Sequence, residues 1–134
     1  LTEPCDWPEL VAALGEEPGQ LRWNPGGYAL AVFEDARTVR ALAPDFATIA
    51  ALGNLQVGAS AIGAGEADIV SRVFSAGRED AATGSAHAAL APYWCARLKL
   101  EKLKAYQASS RGGRIECRLE NDQVWLGGEC RMVT

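Results

Sequence analysis

Apolar positions along the chain come in short runs broken by glycine, proline and acidic residues, a pattern that predicts many strands and few helices. Residues 28–33 form a nearly continuous apolar run and residues 38–42 another, with Glu34 and Asp35 between them, so a hairpin or two neighbouring strands is predicted there. A short piece at 20–23 sits between two turn-rich stretches. Residues 55–62 and 67–74 predict strands on either side of the turn Gly63-Ala64-Gly65. Further strands are expected at 106–109, 114–119, 123–126 and 129–133, with a bulge or bend at Gly127-Gly128. Helix signals are fewer. Asp6 reads as a cap, Pro8 suits a first turn, and Leu10, Val11 and Leu14 recur at helical spacing before Gly15. Asp45 caps a short helix over 46–52 that ends at Gly53. The third and longest helix is predicted over 83–98, with Thr83 as its cap. Ala86, Ala88, Ala89, Leu90, Ala91, Tyr93 and Trp94 make it apolar nearly all round, the mark of a buried helix. The basic cluster at 97–104 either prolongs this helix past Pro92 or is its end followed by a strand, and reads as a solvated face. The fold class that follows is α+β: mixed or antiparallel strands curled around a central buried helix, in a single domain over 1–134.

Charge and composition narrow the function. The formal net charge is −4, and no Lys/Arg stripe interleaved with aromatics occurs, which argues against nucleic acid. No apolar run reaches the roughly 18 to 20 residues of a membrane span. Residues 1–10 lack the basic start and apolar core of a signal peptide, and Leu1 in place of an initiator Met reads as a processed, trimmed or excised chain. Cys5, Cys95, Cys117 and Cys130 form no CxxC pair and have only His87 to help them, so no metal site is expected. They suit small apolar thiols in a reducing cytoplasm.

The stretch that carries chemistry is GREDAATGSAHAALAPYW, residues 77–94. Its helix start offers unpaired N–H groups and the positive end of the macrodipole, a seat for a carboxylate or phosphate. Asp80 lies just before that seat, as a general acid or base acting on a bound carboxylic acid would. The alternative is that Glu79 and Asp80 only complement the helix dipole. His87 is expected to be packed or partly exposed rather than catalytic.

Six pieces in order, APDF at 43–46, SRVF at 71–74, EDAATGSAH at 79–87, PYW at 92–94, QASSRGG at 107–113 and the closing 124–128, make the chain resemble the phenazine biosynthesis isomerase-like (PhzF-like) family, through its C-terminal half. The resemblance implies one half of a diaminopimelate epimerase-like two-domain fold. It also implies a metal-free, cofactor-independent isomerase that moves protons on a small carboxylic acid held between two similar domains. Asp80 would then transfer the proton, and Thr83, Gly84 and Ser85 would hold the substrate. Ala81 stands where the family usually has proline. The family's principal catalytic glutamate, in its N-terminal domain, has no counterpart in these residues. A homodimer or a partner chain carrying the N-terminal half is therefore expected. A non-catalytic small-anion-binding module and an interaction domain are the alternatives.

Overall fold

The computed structural model describes residues 3–24, 27–53, 55–63, 67–75, 78–80, 84–108, 112–120 and 123–128. Its elements run β1 (Glu3–Pro4), α1 (Pro8–Leu14), β2 (Gln20–Asn24), β3 (Tyr28–Val32), α2 (Ala36–Ala41), α3 (Phe46–Ala51), β4 (Gln56–Ile62), β5 (Ile69–Ser75), β6 (Arg78–Asp80), α4 (Gly84–Leu98), β7 (Lys102–Gln107), β8 (Gly113–Glu120) and β9 (Gln123–Gly128). One mixed sheet takes all the strands, in the order β1-β2-β3-β4-β5-β7-β8-β9, with β6 paired to β5 off that path. Neighbours are antiparallel except β3 with β4 and β5 with β7, the two pairs joined by helical crossovers.

Burial explains the strand patterns. Strand β3 is an apolar run because the sheet is covered on both faces there: Ala29 and Ala31 pack into a core with α1, α2 and α3, while Leu30 and Val32 pack into a second core with α4. Strands β7 and β8 alternate instead. Leu103, Ala105, Ile115 and Cys117 are buried beneath α4, and Lys102, Lys104, Arg114, Glu116 and Arg118 face solvent on the other side.

Helix ends follow local chemistry in part. Gly15 closes α1 in the left-handed conformation (φ 85°), its N–H bonded to the Val11 and Ala12 carbonyls. Asp6 does not cap this helix. Trp7 occupies that position without a side-chain bond, and Pro8 sets the entry. Asp45 caps α3 as expected, accepting from the Thr48 N–H at 3.1 Å. The expected strand over 38–42 is the helix α2 instead. Asp35 accepts from both the Thr38 N–H (2.7 Å) and the Thr38 hydroxyl (2.8 Å), and Val39 and Leu42, three apart, are the buried side chains of that turn.

Both caps lower their carboxyl pKa. For Asp35 the backbone N–H of Thr38 is the main cause and for Asp45 that of Thr48, with the hydroxyl of the same threonine second in each case. A depressed folded-state pKa gives stability that is present above the unfolded value of about 3.9 and is lost as pH falls through the folded value. Thermal melts of the parent and an Asp35→Asn, Asp45→Asn variant should therefore differ most at neutral pH and converge as pH falls through the folded-state values. A constant gap across the acid range would contradict this account.

Two further expectations change, and the basic cluster takes one of its expected forms. The helix over 84–98 continues through Pro92, but it is buried along one face only: His87, Leu90, Ala91, Trp94 and Cys95 lie inside, Ala88, Ala89, Pro92 and Tyr93 are half-buried, and Ala96 and Arg97 are exposed. Alanine reports helix propensity as much as burial, so an alanine-rich surface looks apolar in sequence. Gly127 and Gly128 continue the β8–β9 register opposite Glu116 and Ile115, with no bulge. The basic cluster divides, helix to Leu98 and strand from Lys102, with a turn between where Lys99 takes φ 58°. The strand expected at 129–133 and the turn glycine at 65 lie outside the described residues.

Candidate active site

Strand β5 shares one of its edges between two neighbours. Ile69, Val70 and Ser71 pair in parallel with Ala105, Tyr106 and Gln107 of β7, while Val73, Phe74 and Ser75 pair with Asp80, Glu79 and Arg78 of β6. The Ala108 N–H bonds to the Ser71 carbonyl at 2.7 Å, the last rung on the β7 side. The C-terminal ends of β6 and β7 thus meet at one split in the sheet, with Asp80 opposite Val73 and Gln107 opposite Ser71. Carboxyl ends of strands that part in this way are favoured places for a ligand. Helix α4 begins at Gly84, shortly after β6 ends. Glu79 and Asp80 lie on a strand, because the hairpin partner β5 supplies its backbone bonds.

The split is braced from below by Arg72, the residue of β5 at that point. Its Nε donates to Glu79 Oε2 at 2.9 Å and its Nη2 to Oε1 at 2.7 Å, a two-pronged ion pair. Its Nη1 donates to the carbonyls of Val39 (3.1 Å), Arg40 (3.3 Å) and Leu42 (2.7 Å) at the end of α2, the first of which also accepts from the Leu42 N–H. The guanidinium also lies 5.1 Å from the Phe74 ring centroid. One side chain therefore ties the β5–β6 hairpin to the end of α2 and fixes the backbone that carries Asp80.

Above the sheet lies a row of buried polar groups. Ser60 of β4 and Gln107 of β7 are both in register with Ser71 of β5, and all three side chains are fully buried. His87, likewise fully buried in α4, pairs through Nε2 with Ser71 Oγ at 2.8 Å, the donor being set by the imidazole tautomer. Trp94 Nε1 donates to Ser60 Oγ at 2.9 Å. Between these two pins Leu90 rests on Gly58, its Cδ1 lying 3.4 Å from where a Cβ would stand. The pins fix the orientation of α4 over the split. His87 is packed, as expected, and its partner Ser71 was not foreseen; the SRVF and QASSRGG pieces contain Ser71, Arg72 and Gln107, but nothing in their spacing shows that they converge.

Of the expected site residues, the structure brings Asp80 to the end of β6 and Gly84 and Ser85 to the first turn of α4, while Thr83 lies outside the described residues. The cysteines among the described residues are elsewhere. Cys5, Cys95 and Cys117 are free thiols. Burial pushes the Cys117 thiol up to about 12, with Cys95 adding to it, and burial raises Cys95 and Cys5 as well. Thiols so shifted stay protonated and are poor nucleophiles. Among the described residues, no group of three His, Cys, Asp or Glu side chains could hold a metal ion, and no helix is long and apolar enough to cross a membrane.

These elements define a mixed α/β domain in which an acidic strand at a sheet split leads into the start of the longest helix. The phenazine biosynthesis-like (PhzC-PhzF) family model matches residues 10–134, and the chain belongs to that family. It is 39% identical to a protein of Pseudomonas aeruginosa named as an uncharacterized isomerase, over 97% of this chain and 51% of that protein. A second such isomerase from the same organism is 41% identical over 93% and 48% of the respective chains. The chain thus spans about half the length of the curated relatives it matches. Among solved structures, a PhzF-family phenazine biosynthesis protein of Enterococcus faecalis superimposes with a TM-score of 0.84 at 34% identity, covering 97% of this chain and 52% of the other. A PhzC/PhzF protein of Clostridium difficile shares the fold at 24% identity, with a TM-score of 0.81 over 99% and 55%.

Proposed function

We propose that this chain forms one half of a metal- and cofactor-independent isomerase with a diaminopimelate epimerase-like two-domain fold, α4 standing at the centre of its half. The reaction moves a proton on a small carboxylic acid in the cytoplasm. The observation that carries this reading is the position of Asp80, at the sheet split and directly before the start of α4, on a hairpin braced by Arg72 and Glu79. Thr83, Gly84 and Ser85 hold the substrate carboxylate with the N–H groups of the first helical turn and a hydroxyl, where the macrodipole favours negative charge. Asp80 takes or returns the proton at carbon, and a second acid/base group on the opposite side of the cleft completes the exchange, so the net proton count does not change.

That second group belongs to the other half. The half-length match to relatives named isomerases supports this. The other half is an N-terminal-half domain or a second copy of this chain. In a homodimer two Asp80 carboxylates would face one cleft and repel, which raises one pKa and lets the pair share a proton.

Titration with small organic acids, malonate and benzoate among them, tests the site. The parent should bind, and a Ser85→Ala variant should bind at least about tenfold more weakly, since a hydrogen bond to a charged group contributes about 1.5–3 kcal/mol. Equal affinity would remove the site. Light scattering at micromolar concentration tests the assembly: a clean monomer with no co-purifying partner would leave an interaction domain as the better account.

A further inference from the structure

Away from the sheet split, the outward face of α4 meets the end of the sheet in a groove of about 550 Å³. Ala89, Pro92, Tyr93 and Ala96 line it from the helix, at spacings of three and four that place them on one stripe. Arg22 lines it from β2, on the α4 side of the sheet beside Leu30, where the cover of α4 ends. Arg97 closes the far end.

Two guanidinium groups converge on one ring in this groove. Arg22 lies 5.4 Å from the Tyr93 ring centroid, and Arg97 Nη1 donates to the Tyr93 hydroxyl at 3.1 Å while its guanidinium sits 5.0 Å from the Trp94 ring centroid. Tyr93 in turn packs edge-on to the buried Trp94, with centroids 5.3 Å apart. The phenol is thus held from beneath, and both cations are preorganised around it by contacts to aromatic groups. Planar guanidinium forks are suited to carboxylate and phosphate. The rest of the lining, alanine methyls, the Pro92 ring and the Tyr93 face, suits a flat apolar body. A volume of this size falls in the range of small-molecule sites.

We infer that this groove binds a small ligand composed of an oxyanion on a flat, apolar ring, with Arg22 and Arg97 on the oxyanion and Tyr93 and Pro92 against the ring. It is a site separate from the start of α4 and does not depend on the isomerase reading.

The test is a heteronuclear NMR titration of the full chain with 2-naphthoate, 2-naphthyl phosphate and the uncharged 2-naphthylmethanol. The anions should shift resonances of Arg22, Ala89, Tyr93, Ala96 and Arg97 with a Kd on the order of 1 mM, the scale for ligands of this size, and the alcohol should bind far more weakly. Preference between the two anions shows whether carboxylate or phosphate is the natural head group. An Arg22→Gln, Arg97→Gln variant should bind at least about tenfold more weakly. Arg97→Lys, which keeps the charge and the fold but loses the planar fork, should fall between. Ser85→Ala should leave groove binding unchanged. Equal affinity in the double variant, equal binding of the alcohol, or no shift at about ten times the expected Kd would overturn the inference. Shifts confined to the first turn of α4 and abolished by Ser85→Ala would overturn it too, while supporting the anion seat there.

Discussion

Replacing Trp94 with alanine is expected to lower the free energy of unfolding by about 3–5 kcal/mol, and Leu90→Ala by about 2–5 kcal/mol. Both side chains are fully buried between α4 and the sheet, in a core with Leu30, Val32, Ile69, Leu103 and Ile115. The sheet cannot collapse into the space left by either, because β3, β4 and β5 are held by ladders on both sides. Trp94→Phe separates packing from polarity. It keeps most of the volume but leaves the buried Ser60 hydroxyl without its indole donor, at a cost of about 1–3 kcal/mol. Urea denaturation followed by far-UV circular dichroism measures all three. A loss below about 1 kcal/mol for Trp94→Ala would mean that α4 does not pack on the sheet as described.

Arg72→Leu should be the second large effect, about 3 kcal/mol, because removing one partner of an inner ion pair leaves the other charge uncompensated. The pair is not wholly dry, with side-chain exposures of 11% for Arg72 and 21% for Glu79, which sets the figure at the low end of the range for buried pairs. Three carbonyls at the end of α2 lose the guanidinium donor in the same step, and that of Val39 keeps a backbone one, from Leu42. Glu79→Leu alone should cost less, since those carbonyls keep theirs. The Arg72→Leu, Glu79→Leu double variant should recover part of the loss, and the cycle of all four proteins gives the coupling. Hydrogen exchange should show the backbone amides of β6 losing protection first. Exchange unchanged in β6 would mean that the brace does not hold the strand that bears Asp80.

Local chemistry alone made several features legible. Pro8 and Gly15 mark the ends of α1, Asp45 caps α3 through Thr48, and the alternation of β8 gives its buried and exposed sides, because each depends on residues a few positions apart. The pieces from SRVF to QASSRGG identified the family by the order of residue types, without any three-dimensional information.

Tertiary structure decided the rest. Residues 38–42 carry an apolar signal compatible with strand or helix, and the bond from Thr38 to Asp35 together with burial of Val39 and Leu42 against the sheet selects the helix. The acidic pair became a strand only because β5 had a free edge beyond Ser71. Ser60, Ser71, His87 and Gln107 come together through the antiparallel β4–β5 pair and the parallel crossover from β5 by way of α4 to β7, a long-range pairing that no local periodicity encodes. The alanines of α4 gave no sign of which face would meet water, since a methyl group is tolerated on either side. Only the finite width of the sheet beneath, with Arg22 at its margin, determined that Tyr93, Ala96 and Arg97 would face outward.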